Sequence, residues 1–320
     1  MEIRKKSPLL RGDIEGCLRI FLLKLLLFRV IFQFMADHKH MYPIRTMSRV
    51  FGVSRSGFYS WMGRGPSRRA LENRRLCQAI RRVWESSKKK YGSPRIHRQL
   101  TGEGWMVSRP RVARLMRSMG VASKIRKKWV KTTHSSHRWP VAANLLDRNF
   151  TPGGLSEVWV SDITYLPCQE GWLYLTTVMD LADRQILGWS LSDGMSAEQT
   201  SIAAFKQALI RRAPGEDLIF HSDQGVQYAC RDFTKKLNAY GITQSMSRKG
   251  NCWDNAPAES FFKTLKYELD MPLYYKSYQQ ARTAIFEFIE IWYNRKRLHS
   301  ALNYQSPVQA EQNINHKQAA

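Results

Sequence analysis

The chain has 320 residues, of which 43% are hydrophobic, and 51 Lys and Arg against 26 Asp and Glu give it a formal net charge of +25. That length supports two or three domains with real apolar cores. The five cysteines, Cys17, Cys77, Cys168, Cys230 and Cys252, are scattered and odd in number, which excludes a disulfide framework or a CxxC zinc site and reads as reduced, cytosolic usage. Residues 1–150 hold 34 Lys and Arg against 8 Asp and Glu, whereas residues 151–320 hold 17 against 18. A basic front half joined to a neutral back half implies a DNA-holding module feeding a catalytic one, the alternative being a merely solubilising surface.

In chain order, residues 1–34 are an apolar leader. Leu18 to Phe34 is interrupted by Lys24 and Arg29, too early for the roughly 18 to 20 residues of a membrane span. No small-residue cleavage site follows. Leu18, Phe21, Leu25, Phe28 and Phe32 alternate steps of three and four like a coiled-coil seam, although most other positions are apolar as well. Met35 is a candidate start, and removal of residues 1–34 is expected to leave folding and DNA binding intact. Across 35–65, Ile44, Met47, Val50 and Phe51 make a helical stripe, Gly52 breaks it, and Ser54 caps a second helix through Phe58 and Trp61. This is a helix-turn-helix pattern with Arg55, a candidate DNA contact, near the start of the second helix.

Residues 66–122 carry a helix from Leu71 to Ser87 and then a second helix pair, SPRIHRQL and SRPRVARLMRSMG, around the turn GEGW. Ser93 and Ser108 suit N-caps and Gly120 a C-terminal stop. Arg109, Arg111, Arg114 and Arg117 cannot all face inward, so most are solvated or on phosphate. A basic linker, 123–154, contains KIRKKWVK with Lys127 and Lys128. Its His134 and His137 lack a cysteine pair and read as polar linker.

From 155 to 308 the pattern is β, β, β, α, β, α, β, α. Val158–Leu166, Trp172–Met179 and Gln185–Leu191 are predicted strands, and Ser196 and Glu198 open a helix through Leu209. Leu218–His221 is a strand, Cys230–Tyr240 a helix and Ile242–Met246 an edge strand. The next helix starts at about Asn255, a suitable N-cap, with Pro257 in its first turn. Ala258, Phe261, Phe262, Leu265 and Leu269 form its buried stripe. Glu259 lies off the stripe, and Lys266, two turns on, shares its side. A last helix, Tyr278–Tyr293, leads into YNRKRLHSAL, where Arg295, Lys296, Arg297 and His299 are either a solvated cap or a second DNA contact. The polar tail, 309–320, is expected to be disordered.

Three acids stand out in this half: Asp162 in EVWVSDITYLP, Asp223 in LIFHSDQGVQY, and Glu259, with 35 residues between the last two. That spacing, with a basic residue seven after the glutamate, resembles the catalytic core of retroviral integrases and DDE transposases. The segments SDITYL, HSDQGVQY, GNCWDNAPAESFFKTLK and YNRKRLHSAL narrow the resemblance to the OrfB transposase of the IS3 family of bacterial insertion sequences, over about Tyr42 to Gln309. It implies an α/β RNase H-like, integrase-type core preceded by an all-α region with two helix-turn-helix units. It implies that Asp162, Asp223 and Glu259 are the catalytic residues and the ligands of Mg²⁺ or Mn²⁺, two ions in all, as three crowded hard-oxygen donors favour. Lys266, Arg248, Lys249 and Asn251 would hold DNA near the cut, with Trp253 either lining the same groove or packed beneath it, and His221 either a core histidine or a phosphate-orienting one. The partners implied are element-end DNA, target DNA, further copies of the chain and the upstream OrfA product, fused or separate, in the bacterial cytoplasm at the nucleoid. An RNase H-type nuclease and a non-catalytic regulator of transposition are the alternatives.

Overall fold

The computed structural model describes residues 28–123, 139–269, 272 and 274–318. Lys127, Lys128, His134 and His137 lie outside them. Two compact units divide the chain, residues 1–78 and 79–320.

In the first unit, α1 (residues 28–38), α2 (Ile44–Val50) and α3 (Arg55–Met62) close around Met35, Met47, Val53 and Phe58. Gly52, at φ +64°, makes the turn that an L side chain resists, and the Gly57 amide donates to Ser54 Oγ at 2.9 Å, the expected cap. Part of the segment before Met35 packs into this core, a partner that the apolar run by itself does not show. Phe32 packs against Phe58 and Trp61 with ring centroids 5.9 Å apart in each case, and Ile31 joins the same core. Aromatic burial of this kind is worth more than the helix's own propensity, so α1 belongs to the helix-turn-helix.

The helix α4 (Arg68–Ser86) precedes α5 (Ser93–Gly102) and α6 (Arg109–Ser118). Ile96, Leu100, Val112 and Met116 are the buried positions of this second pair. Gly92, not Ser93, holds the N-cap of α5, and Ser108 holds that of α6 without a side-chain bond. Gly120, at φ +65°, ends α6 as its position predicts, with the Val121 amide returning to Met116 O at 2.9 Å.

The second half of the chain contains a five-stranded mixed sheet in the order β3-β2-β1-β4-β5: β1 (Val158–Cys168), β2 (Gly171–Asp180), β3 (Ile186–Ser192), β4 (Ile219–Ser222) and β5 (Thr243–Met246). The first three strands form an antiparallel meander, and β4 and β5 extend it in parallel. Alternation along β1 divides the core in two. Val158, Val160 and Leu166 join a cluster with α10 (Ala256–Glu268) and the long C-terminal helix, α11 (Tyr278–Phe286) with its wider-wound continuation Glu287–Tyr293. Trp159 instead packs with α7 (Ala203–Arg211), α8 (Val226–Ala229) and α9 (Arg231–Ala239). Gly188 allows the close approach of α7 to β3, since a Cβ there would meet Ala204 O at 2.1 Å.

The tail departs from expectation. Residues Pro307–Gln318 form α12, with Ala310 buried. Arg212 explains it: its guanidinium bridges Asp180 at 2.7 Å, Asp183 at 2.6 Å and Glu311 of α12 at 2.6 Å, while Gln185 Nε2 donates to the other Glu311 oxygen at 2.9 Å. These partners are about a hundred residues distant, so tail composition alone could not show them. Ending the chain after Ser306 should therefore cost on the order of 2 kcal/mol through the exposed cluster and lost packing, lowering the melting midpoint by roughly 4–8 °C. A truncated chain that melts within a degree of the full one would return the tail to its disordered reading.

Candidate active site

Two neighbouring parallel strands lead to the two aspartates. Val160 of β1 pairs with His221 of β4. Asp162 lies two residues further along β1, and Asp223 is the first residue past the C-terminal end of β4. Each aspartate is steadied by a local amide: the Ile163 N–H donates to Asp162 Oδ1 at 2.8 Å, and the Gly225 N–H to Asp223 Oδ1 at 3.0 Å.

Glu259 comes from the first turn of α10, whose Ala258, Phe261, Phe262 and Leu265 are buried as the stripe predicts, leaving Glu259 exposed. Asn255 occupies the N-cap but makes no capping bond. Its Nδ2 instead donates to the backbone oxygen of Ser161 at 3.0 Å, tying the start of α10 to β1 one residue before Asp162. Behind that stitch, Ser161 Oγ and the Tyr228 hydroxyl share a hydrogen bond of 2.7 Å. Periodicity marked neither Ser161 nor Tyr228, although both sit inside the motifs around the two aspartates.

These groups feel one field. Protein atoms crowd Asp162 closely although it retains some accessible surface. This loss of hydration, followed by the charge of Asp223 and, less strongly, that of Glu259, holds its carboxyl well above the ordinary range. The Ile163 amide and Lys266 act in the opposite direction. Burial lowers the Lys266 ammonium, partly offset by Asp162. Burial, then Asp223 and Asp162, raises the Tyr228 phenol well above its usual value, so it remains a neutral hydrogen-bonding group behind the acids.

The loop before α10 is held by a buried carboxylate. Asp254 accepts from Arg148 Nε at 2.9 Å, Arg248 Nε at 2.8 Å, the Arg248 amide at 3.0 Å and Asn144 Nδ2 at 3.1 Å. These bonds, the Arg248 side chain first, keep it below the usual carboxylate range. Arg248, read from sequence as a DNA contact, thus spends its guanidinium on Asp254 and on Asp147 at 3.1 Å. Trp253, beside it, is not packed beneath the groove but 69% exposed. Lys249 is exposed and Asn251 half-buried.

His221 is a core histidine: it lies between Ser245 Oγ at 2.9 Å and Ser247 Oγ at 3.2 Å, and burial pushes it down to about 4. Arg297 and His299 require correction as DNA contacts. Arg297 is buried, its Nε 2.9 and 3.0 Å from the two oxygens of Glu268. His299 is half-buried and is pushed down to about 3 by burial and then by Arg297, Arg184 and Arg95. Their cationic run is therefore folded inward at these two positions. Arg55 and Arg109 are exposed and Arg111 is half-buried.

Among the described residues, no group of three or more His, Cys, Asp or Glu side chains is gathered at a spacing that would hold a metal ion. By donor chemistry the set nevertheless suits a hard divalent cation, with carboxylate oxygens throughout and a mutual repulsion, visible in Asp162, that positive charge relieves.

Residues 155–252 and 240–307 match the Integrase core domain family, and residues 71–129 match an HTH-like domain. A 31 kDa uncharacterized protein of insertion element IS600 from Shigella sonnei is 42% identical over 262 residues, 82% of this chain and 96% of that one. Transposase InsF for insertion sequence IS3A of Escherichia coli K12 is 37% identical over 280 residues, 87% of this chain and 97% of that one. The chain belongs to the IS3 family of transposases. Its catalytic half is the family's integrase core, RNase H-like in fold, behind a helical HTH-like region. A looser likeness joins it to the HTLV-2 integrase catalytic core solved with magnesium, 15% identical, covering 50% of this chain and 98% of that one at a TM-score of 0.39. Among the described residues of this IS3-family transposase, no helix is long and apolar enough to cross a membrane.

The raised Asp162 has a direct consequence for stability. An acid whose folded value lies above its unfolded one stabilises the fold while protonated, and this contribution is lost as pH climbs from about 4 through the raised value. Asp162→Asn, which mimics the neutral acid, should then melt on the order of a few degrees higher than the wild type at pH 8 without divalent cation, the gap closing towards pH 4. An Asn variant that melts lower at pH 8 would contradict the crowding of charge at this site.

Proposed function

We propose that Asp162, Asp223 and Glu259 are the catalytic carboxylates with which this transposase cleaves and joins DNA strands, and that together they hold two Mg²⁺ or Mn²⁺ ions. What supports this reading is that Asp162, on β1, shares an electrostatic field with Asp223, just past the end of the neighbouring β4, and with Glu259 of α10. When bound, such an ion pair activates the attacking water or 3′-hydroxyl and stabilises the leaving oxygen of an in-line displacement at phosphorus. The chain supplies rigidity: both aspartates lie at one sheet end, and the Asn255 to Ser161 bond fixes the first turn of the glutamate's helix against them. Lys266, whose charge reaches Asp162, holds the strand beside the scissile phosphate. Lys249, Asn251 and the exposed Trp253 form the adjoining rim, where an indole face can stack on a base. Arg55, Arg109, Arg111 and the run containing Lys127 and Lys128 take phosphates further from the cut, supplying affinity rather than sequence choice.

The substrates on this reading are the ends of the chain's own insertion sequence and the target DNA. One end is nicked and joined to the same strand near the other, giving a circle that later inserts. Further copies of the chain and the upstream OrfA product complete the assembly.

Glu259→Gln, Asp162→Asn and Asp223→Asn should each bind element-end DNA within about twofold of wild type and lose Mg²⁺-dependent nicking and joining by on the order of 10³-fold or more. Lys266→Ala should differ, weakening engagement of the DNA near the cut more than ion binding. Labelled-end cleavage and strand-transfer assays check this. Near-normal strand transfer by Glu259→Gln in Mg²⁺ would return the acids to a structural role.

A further inference from the structure

The far end of the catalytic helix is held as firmly as its beginning, and by residues from the HTH-like region. Glu268, the last residue of α10, is buried, although a carboxylate at a helix C-terminus opposes the helix dipole. It is retained there by two donors, Arg297 Nε at 2.9 and 3.0 Å and Trp292 Nε1 at 2.9 Å, and by an ion pair with Arg95 of α5, whose guanidinium stands 3.6 Å away. Arg95 also donates through Nε to Leu298 O at 3.0 Å. Just ahead of α5, the buried Tyr91 hydroxyl accepts the Leu298 amide at 2.9 Å and donates to Lys296 O at 3.4 Å. The Tyr91 ring lies 5.7 Å from Trp292 and beneath the Arg95 guanidinium. One carboxylate thus joins the helix bearing Glu259 to the second helix pair, and the segment 292–298 is the mortar between them.

We infer that the Glu268, Arg95 and Arg297 clamp sets the interval between the DNA held by α6 and the phosphate presented to the acids, and so specifies which phosphodiester is cut. This rests on the catalytic assignment above. A rise of about 13.5 Å along α10 separates Glu259 from Glu268; with the start of α10 tied to β1, a change at the clamp shifts α5, and with it DNA held on α6, relative to Glu259. The clamp residues are positioning residues, since none of them touches the reacting atoms. Retaining an ion network where apolar side chains would fold as well fits a demand for one geometry rather than for stability.

The test uses the full chain and an end-labelled duplex carrying the terminus of its own insertion sequence, with products read at nucleotide resolution in Mg²⁺. Two variants are compared with wild type. Arg95→Met breaks only the link to α5. The double variant Glu268→Met with Arg297→Met removes the buried pair by an apolar replacement of the kind that folds well, so Arg95→Met carries the test if the double variant does not fold. Both should bind the duplex within about threefold of wild type while the fraction of cuts at the authentic position falls at least fivefold, with new cuts at neighbouring phosphodiesters. Cutting that weakens with its position unmoved, as a merely structural pair would give, overturns the inference; so does loss of all cutting with binding intact. Glu259→Gln is run alongside: if it still cuts, the catalytic assignment fails, an outcome separate from an unmoved cut in the clamp variants.

Discussion

Asp162 stands on β1 and Asp223 just past the end of its parallel neighbour β4, and after burial it is the charge of Asp223 that most raises the Asp162 carboxyl above its ordinary range. Glu259 adds to the same field. A chain under selection for stability alone has cheap ways to avoid such crowding, since an amide or a serine at any of the three positions removes it. The surrounding structure is instead arranged to keep the acids in place: amide donors steady both aspartates, and Asn255 gives up its capping role to bind β1 beside Asp162.

How the arginines are distributed sharpens the contrast. Asp254 is taken by Arg148 and Arg248, Asp180 and Asp183 by Arg212, and Glu268 by Arg95 and Arg297. Each of these acids is a joint: Asp254 secures the loop ahead of α10, Glu268 secures that helix's end, and the Arg212 cluster secures the C-terminal helix. At the acid cluster the cation whose charge reaches Asp162 is Lys266, a compact and movable ammonium rather than a guanidinium fork.

Much of this was legible in the sequence because it rests on local periodicity. Alternation along 158–191 showed the meander, the i, i+3, i+4 stripe from Ala258 to Leu265 placed Glu259 outside the core, and Gly52 and Gly120 marked turns that only a positive φ allows. The failures share one cause, which is pairing that local periodicity does not show. Arg297 and His299 read as a surface cation run because nothing nearby shows that Glu268 and Tyr91 draw that segment inward. Arg248 read as a phosphate contact because its buried partner Asp254, six residues on, looked like one more polar loop residue. Phe32 was read as part of a leader because that apolar run is too uniform to show which face meets Phe58.

Burial, with the added charge of Asp223 and then Glu259, holds the Asp162 carboxyl well above the ordinary range, and on the proposed metal-binding reading a divalent cation displaces its proton. Calorimetric titration of the full chain with Mg²⁺ in two buffers of different ionisation enthalpy, repeated from about pH 5 to 8, measures the protons released per ion bound. The account predicts net proton release in the wild type over part of that range and its loss in Asp162→Asn. Mg²⁺ binding with identical heats in both buffers at every pH, or equal release from Asp162→Asn, would contradict it.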